Sequence, residues 1–160
     1  MGGGATFDAR RRYRYRLWRQ WEASRPRVLW IMLNPSTADE ETLDPTIRRC
    51  MGFAKAWGFG GIDVVNLFAW RATEPRLLRA ARDPVGPSND EMIAAAVHEA
   101  AAIVAAWGNH PMALARGRAV RQLAVKLDKS VWCLGLTKAG EPRHPLFVAG
   151  STRIVRCPSP

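Results

Sequence analysis

The stretch RVLWIML at residues 27–33 is followed directly by the polar loop NPSTADEETL at residues 34–43. A nearly continuous apolar run of this length is typical of a central strand that is covered on both faces. Three further apolar runs lie at residues 62–67, 103–107 and 131–134. The sequence therefore predicts a central sheet of about four buried strands.

Helical patterns separate these apolar runs. The first helix is expected to begin at Asp44, which suits an N-cap, with Pro45 in its first turn. A second follows Ser88, and a basic amphipathic helix covers residues 114–127. This alternation predicts an α/β fold, a three-layer sandwich with a largely parallel central sheet flanked by helices. We expect one domain over residues 10–158.

An arginine-rich segment, YRYRLWRQW, occupies residues 13–21. Its aromatic and apolar residues alternate with Arg14, Arg16 and Arg19. This period-two pattern predicts an N-terminal strand with an arginine-rich outer face, which could pair with the next strand as a hairpin. The three glycines that follow Met1 are expected to form a flexible leader.

The charge balance is strongly basic. Lysine and arginine number 24 against 14 acidic residues, which gives a net charge of +10. Such a field attracts polyanions, and arginine suits bidentate phosphate contacts, so nucleic acid, DNA rather than RNA, is the expected partner. A genome whose codons favour arginine and alanine would explain the same charge without a partner, and both interpretations stay open.

Several classes of protein are excluded by pattern. The sequence has no apolar run long enough to cross a membrane, and its first residues do not resemble a signal peptide, so a cytoplasmic protein with no membrane partner is expected. The cysteines, Cys50, Cys133 and Cys157, form no CxxC pair, which argues against a zinc or iron–sulfur site. We expect a monomer without a metal or a cofactor.

Polar side chains stand where the predicted strands end. Asn34 and Asn66 close two apolar runs, and His144 lies in the loop after the fourth. Ligands of open α/β sheets bind at the carboxyl ends of strands, so the three side chains are expected to converge on one cleft. Simpler explanations stay open: Asn34 is also a turn former, the Asn66 amide could satisfy a neighbouring loop, and His144 could be an ordinary loop histidine. Further expected members of the cleft are Asp39, Asp44 and Arg71.

The chain also resembles a known family through its longest motifs. The motifs are MLNPSTAD at 32–39, DPTIRRC at 44–50, VVNLFAWRAT at 64–73, DPVGPSND at 83–90, WGNH at 107–110 and RHPLFV at 143–148. Together they resemble the bacterial and phage family known as domain of unknown function 1643, over most of the chain.

The order of the motifs is more distantly similar to the uracil-DNA glycosylase superfamily. In that superfamily a loop after the first strand positions the attacking water, an asparagine reads the edge of a flipped base, and a His-Pro loop stabilises the leaving base. The matching positions here are Asn34, Asn66 and His144. The first motif lacks the leading glycine, and Leu146 stands where the superfamily has serine. The resemblance implies a uracil-DNA-glycosylase-like fold.

This resemblance implies hydrolysis of the N-glycosidic bond of a flipped, damaged or modified base. We assign Asn34, His144 and Asp39 as catalytic candidates. The expected substrate-binding residues are Pro35, Ser36, Asn66, Phe68, Trp70, Arg71, Asp44, Arg48 and Arg143. Phe68 and Trp70 are the candidates for stacking on the base, and the arginines, with Arg49, are the candidates for phosphate contacts. The alternatives are a non-catalytic reader of modified bases and an enzyme that acts on free nucleosides or nucleotides.

Overall fold

A computed structural model describes residues 1–160 and contains one seven-stranded sheet in the order β1-β2-β4-β3-β5-β6-β7. The strands are β1 Gly2–Phe7, β2 Arg14–Gln20, β3 Arg27–Met32, β4 Gly61–Asn66, β5 Ile103–Ala105, β6 Val131–Cys133 and β7 Val155–Arg156. The helices are α1 Pro45–Ala56, α2 Asn89–Glu99 and α3 Ala113–Lys126, with 3₁₀ helices at Pro75–Ala80 and Pro145–Phe147. None of these helices has the length and apolar character needed to cross a membrane.

The strand directions are mixed. The four predicted apolar runs form a parallel block, β4-β3-β5-β6, while β1, β2 and β7 add antiparallel pairings at the two edges. The predicted α/β class is confirmed. The largely parallel sheet of about four strands is wrong for the whole sheet, because three of its six pairings are antiparallel. The alternating pattern of residues 13–21 predicts β2, whereas the glycine-rich β1 and the two-residue β7 contain no buried apolar run.

The N-terminal segment differs from the sequence prediction. β2 lies between β1 and β4 and does not form a hairpin with β3. The predicted leader is edge strand β1, so the sheet includes residues before position 10. Steric contact explains a glycine at position 4 of this strand, since a Cβ there would lie 2.6 Å from the Trp18 Nε1 atom. The absence of side chains lets Trp18 lie against the edge strand.

A β-bulge interrupts the alternation of β2. Thr6 and Phe7 are consecutive in β1, yet they pair with Arg16 and Arg14, so Tyr15 is an extra residue on β2. One extra residue reverses which face of a sheet the preceding side chains occupy. Arg14 therefore points to the face covered by α1.

The predicted arginine-rich outer face of β2 is consequently wrong. Arg14 is only 2% exposed and Arg19 only 3%. Arg16 is partly buried and forms ion pairs with Asp63 at 3.0 Å and Glu99 at 2.9 Å. None of the three arginines lies free in solvent along the strand face, so they do not form a phosphate-binding stripe.

Two apolar cores lie on opposite faces of the sheet. The face under α1 buries a cluster that includes Trp30, Val64, Ile47 and Phe53. The face under α2 and α3 buries a cluster that includes Val65, Phe68, Ile93, Trp107 and Val120. Helices thus cover both faces of the central strands, which explains why the sequence of β3 is apolar at nearly every position.

The order of the central strands creates a crevice at one edge of the sheet. From β3 the chain passes through α1 to β4 on one side of β3, then through α2 on the opposite face to β5 on the other side. Adjacent strands whose connections leave on opposite faces open a gap between their carboxyl ends. The loops after β3, β4, β5 and β6 surround this gap.

Candidate functional site

A cleft of about 950 Å³ opens at the carboxyl ends of the parallel strands. This volume lies at the upper end of the range for small-molecule sites. A second, small cavity of about 70 Å³ adjoins it. Both spaces are lined by Leu33, Asn34, Ser36, Asp44, Thr46, Pro75 and His144. The small cavity is the floor of the cleft, because the residues that line it without lining the cleft are all deeply buried, namely Arg14, Met32, Ile47, Val64 and Asn66.

Asn66 brings an amide to the small cavity. The residue ends β4 and is 1% exposed, and neither its Oδ1 nor its Nδ2 atom has a hydrogen-bond partner in the protein. Its main-chain carbonyl is satisfied by Asn89 Nδ2 at 2.9 Å, so only the side chain is unpaired. A buried amide without partners is costly and rare, which makes this position a candidate for contact with a ligand.

Arg14 brings a buried cation to the same cavity. Its Nη1 atom donates to the Ala38 carbonyl at 3.0 Å, and its Nε atom has no partner. Burial lowers the pKa of Arg14 to about 10, against the opposing effect of the Asp44 carboxylate. The guanidinium is therefore still charged at neutral pH, and it has no carboxylate in ion-pair contact.

Asp44 is the acidic residue that lines both spaces. It is the N-cap of α1, and Pro45 opens the helix as the sequence predicts. Its Oδ1 atom accepts from the Ile47 N–H at 2.8 Å, and its Oδ2 atom accepts from the Ala38 N–H at 3.4 Å. Both oxygens are thus engaged with the main chain, so the carboxylate shapes the site more than it offers a free base.

Asn34 braces the loop that follows β3. Its Nδ2 atom donates to the Pro35 carbonyl at 3.0 Å and to the Ala72 carbonyl at 2.9 Å. These bonds commit the amide nitrogen and leave Oδ1 as the atom that can accept from a ligand or a water. Pro35 itself is buried, and Ser36 lines the cleft beside Asn34.

His144 lines both the cleft and the small cavity. Its Nδ1 atom accepts from the Leu146 N–H at 3.2 Å, so in the neutral ring the proton sits on Nε2. Burial lowers the pKa of His144, and the Asp44 carboxylate opposes this shift only in part. At neutral pH the ring is uncharged and offers an Nε2–H donor.

The rim beside His144 carries apolar and cationic side chains. Leu146 is 44% exposed and Phe147 is 81% exposed on the short 3₁₀ helix, and both line the cleft. Lys138 and Arg143 line the same side, with Arg143 Nε donating to the Leu136 carbonyl at 3.1 Å. An exposed apolar tip flanked by cations is suited to contact with a stacked, negatively charged polymer.

Some predicted site residues lie elsewhere. The Asp39 Oδ1 atom accepts from the main-chain N–H groups of Glu41 and Thr42 and from the Thr42 hydroxyl at 2.7 Å, and these bonds lower its pKa. It therefore closes a turn outside the cleft.

Phe68 packs in the core under α2 and α3, and Trp70 packs edge-on against Tyr13 at 5.3 Å. Neither of these aromatic residues lines the cleft to stack on a ligand.

The four predicted arginines lie in four different surroundings. Arg71 donates to the main-chain carbonyls of Ser36 and Arg11 behind the cleft, and Arg48 is exposed on α1 without lining it. Arg49 donates to the Pro145 and Val148 carbonyls, which ties α1 to the loop after His144. Of the four arginines proposed for phosphate contacts, the structure brings only Arg143 to the cleft.

Residues that the sequence analysis missed complete the site. They are Arg14, Thr37, Thr46, Thr73, Trp107, Asn109, His110, Thr137, Lys138 and Phe147. Trp107 and His110 belong to the WGNH motif after β5. The rule that ligands bind at the carboxyl ends of strands, called the strand-end rule below, could therefore have indicated them. Trp107 Nε1 donates to Glu141 at 2.8 Å and fixes the loop before His144. No cluster of three or more metal-binding side chains exists.

Comparison with known proteins adds one identification. No curated protein and no solved structure matches the chain. The family described as "Protein of unknown function (DUF1643)" matches residues 14–146, which include every strand from β2 to β6 and every residue that lines the cleft except Phe147. The chain therefore belongs to the DUF1643 family.

Proposed function

We propose that this protein binds nucleic acid, holds one flipped base in the cleft with its edge in the small cavity, and hydrolyses its N-glycosidic bond. The observation that carries the proposal is the Asn66 amide, buried and unpaired at the floor of an open cleft. An amide presents one acceptor and two donors, and the edge of a nucleobase presents a matching set. A flipped base would thus satisfy a group that the protein leaves without partners.

The surrounding side chains suit the chemistry of base removal. In this reaction the C1′–N bond breaks, a water oxygen bonds to C1′, and the base leaves as an anion that takes up the proton released by the water. The His144 Nε2–H would donate to the base oxygen that gains charge. The Asn34 Oδ1 atom would accept from the attacking water and orient it, since its amide nitrogen is already committed to the loop.

The rim supports a polymer as the substrate. Phe147 and Leu146 protrude next to the cavity, and apolar side chains inserted between base steps lower the cost of unstacking a nucleotide. Lys138 and Arg143 would contact phosphates on the same side. DNA is the expected substrate, and the three arginines of β2 have no part in this surface.

A non-catalytic reader of modified bases is the second candidate. The observation in its favour is that the only acidic residue lining the cavities, Asp44, has both oxygens engaged by main-chain N–H groups. Without a free carboxylate, activation of the water depends on Asn34 and on the base itself, which suits recognition better than fast hydrolysis. The size of the cleft would also admit a free nucleotide.

The deciding experiment measures base release from oligonucleotides that carry uracil, deaminated purines or phage-type modified pyrimidines. Asn34→Ala should abolish release while largely sparing affinity, because a water-positioning group acts mainly on the transition state. His144→Ala should lower the rate about 100-fold, as for the loss of one oxyanion donor. Asn66→Asp should change which base is accepted, because an acceptor replaces the amide donor.

The matched control is Arg118→Met, which removes an exposed cation on α3, away from the cleft. It should retain wild-type release and affinity. Absence of free base and of an abasic strand with every substrate would overturn hydrolysis. Tight binding of one modified base under those conditions, lost in Asn66→Asp, would establish the reader.

A further inference from the structure

We infer that Arg14 and Asn66 bind an oxyanion of the ligand, a carboxylate or a phosphoryl group, in the small cavity. The inference deepens the proposed function, on which it rests for the nucleobase part of the ligand. It adds that the edge of the ligand buried in the cavity is negatively charged. It concerns binding only and requires no bond to be broken.

The charges around Arg14 do not balance. The groups that face it are the Asp44 carboxylate and the guanidinium groups of Arg19 and Arg71. Arg19 has the Asp39 and Glu40 carboxylates as neighbours, and Glu40 is also ion-paired with Arg11 at 2.7 Å. Arg14 and Arg71 are therefore left with one carboxylate between them, so the region keeps an excess positive charge.

The hydrogen bonds of these arginines do not supply a counter-ion. Arg14 donates to the Ala38 carbonyl, and Arg71 donates to the Ser36 and Arg11 carbonyls. Neither guanidinium has a carboxylate within 4.0 Å, although seven other ion pairs exist in the protein. A buried charge without a partner is strongly unfavourable, and an anionic ligand would relieve that cost where a neutral one would not.

The donors of the cavity also select for an oxyanion. Arg14 Nε and Asn66 Nδ2 are both buried, both without partners, and both line the small cavity. The N-terminus of α1, through Asp44 and Thr46, borders the same space and adds a positive potential. The one unpaired acceptor, Asn66 Oδ1, can accept from an N–H of the nucleobase beside the oxyanion, whereas an amino edge would meet Arg14 Nε and Asn66 Nδ2 unfavourably.

The size of the cavity fits a small charged group. A space of about 10–15 Å³ holds one water, and the cavity offers about 70 Å³. It can therefore take the few heavy atoms of a carboxylate or a phosphoryl group, while the body of the ligand lies in the larger cleft.

The test compares matched ligands on the wild-type protein by isothermal titration calorimetry. The first pair is 5-carboxyuracil against 5-carbamoyluracil, which differ in charge but hardly in shape. The second pair is uridine 5′-monophosphate against uridine, with inorganic phosphate as a competitor. We expect the anion of one pair to bind at least about 10-fold more tightly than its neutral partner, because charge-assisted hydrogen bonds are the stronger kind. The pair that shows the preference identifies the source of the oxyanion.

Variants then assign the preference to the cavity. Arg14→Met should abolish it, Arg14→Lys should retain part of it as a point charge, and Arg118→Met should leave it unchanged. Equal affinity for the charged and neutral members of both pairs would overturn the inference. So would a preference that survives in Arg14→Met. Because the ligand pairs are compared on the wild-type protein, the test does not depend on the folding of any variant, and it is independent of base release.

Discussion

The unpaired amide of Asn66 leads to a prediction about stability. Replacing it with leucine keeps the branched shape and removes two polar atoms that have no partner in the protein. A buried amide without hydrogen bonds costs about 1–3 kcal/mol in protein mutational data. The larger side chain offsets about 0.5–1 kcal/mol of that gain, because the adjoining cavity of about 70 Å³ gives it room.

Asn66→Leu should therefore stabilise the ligand-free protein by about 0.5–2 kcal/mol. For a domain of this size the melting temperature would rise by about 1–8 °C. The assay is thermal unfolding followed by calorimetry, with reversibility checked by a second scan. The same variant should lose binding to every ligand that the cavity recognises, because the group that reads the ligand is gone.

A second buried asparagine provides the matched control. Asn89 is fully buried, and its Nδ2 atom donates to the Asn66 and Leu67 carbonyls at 2.9 and 3.2 Å. Asn89→Leu should destabilise the protein by about 1–3 kcal/mol, because carbonyl groups lose their donor. The two substitutions are chemically identical and should move the melting temperature in opposite directions. If Asn66→Leu destabilises the protein as much as Asn89→Leu does, the amide is satisfied in solution and the reasoning is refuted.

Three further predictions concern the walls of the cleft. Burial lowers the pKa of His144 below 6.5. As the pH falls from 6.5 through this lowered pKa, the unfolded chain binds the proton first, so the stability of the wild-type protein should decline. Thermal unfolding of His144→Gln over the same pH range should not show this decline. Arg49→Met should speed amide hydrogen exchange in the loop after His144 by about 10-fold, because the hydrogen bonds from the Arg49 guanidinium to this loop are lost. An unchanged exchange rate would show that Arg49 does not hold the loop on α1. Replacing both Lys138 and Arg143 with alanine should make the slope of log K against log salt shallower by about 1.8 on duplex DNA, and an unchanged slope would remove them from the phosphate surface.

The strand-end rule accounts for what the sequence could predict. Apolar runs at β3, β4, β5 and β6 are long enough to identify the central strands, and their carboxyl ends meet at one edge. Asn34, Asn66 and His144 consequently border the same small cavity, as the rule implies. Their roles in binding or catalysis stay predictions, since position alone does not establish chemistry.

Arg14 could not be assigned from the sequence because its direction depends on a neighbouring strand. The pattern of residues 13–21 fits uninterrupted alternation, and alternation places Arg14 on the same face as Arg16. The bulge at Tyr15 arises from the register with β1, a glycine-rich segment whose composition gives no strand signal. The pairing of β2 with β1 thus overrides the two-residue alternation of the local sequence.

The misplaced side chains have local explanations. Phe68 lies two residues beyond the end of β4, where the strand pattern no longer fixes direction, and it turns into the core under α2 and α3. Asp39 is followed three residues later by Thr42, an arrangement typical of a side chain that caps its own turn. Its carboxylate is satisfied within that turn before any ligand could reach it.

The bulge in β2 has a consequence for comparing this chain with its relatives. Pairing of the same residues without the bulge would leave Leu17 and the later part of the strand in place, but would turn Tyr15 toward the α1 face and Arg14 toward the opposite face. Deletion of Tyr15, by contrast, would bring Arg14 next to Arg16 and keep it on the α1 face. A relative with the same arginines therefore presents a cation to the cavity only if its β2 either contains the bulge or is one residue shorter.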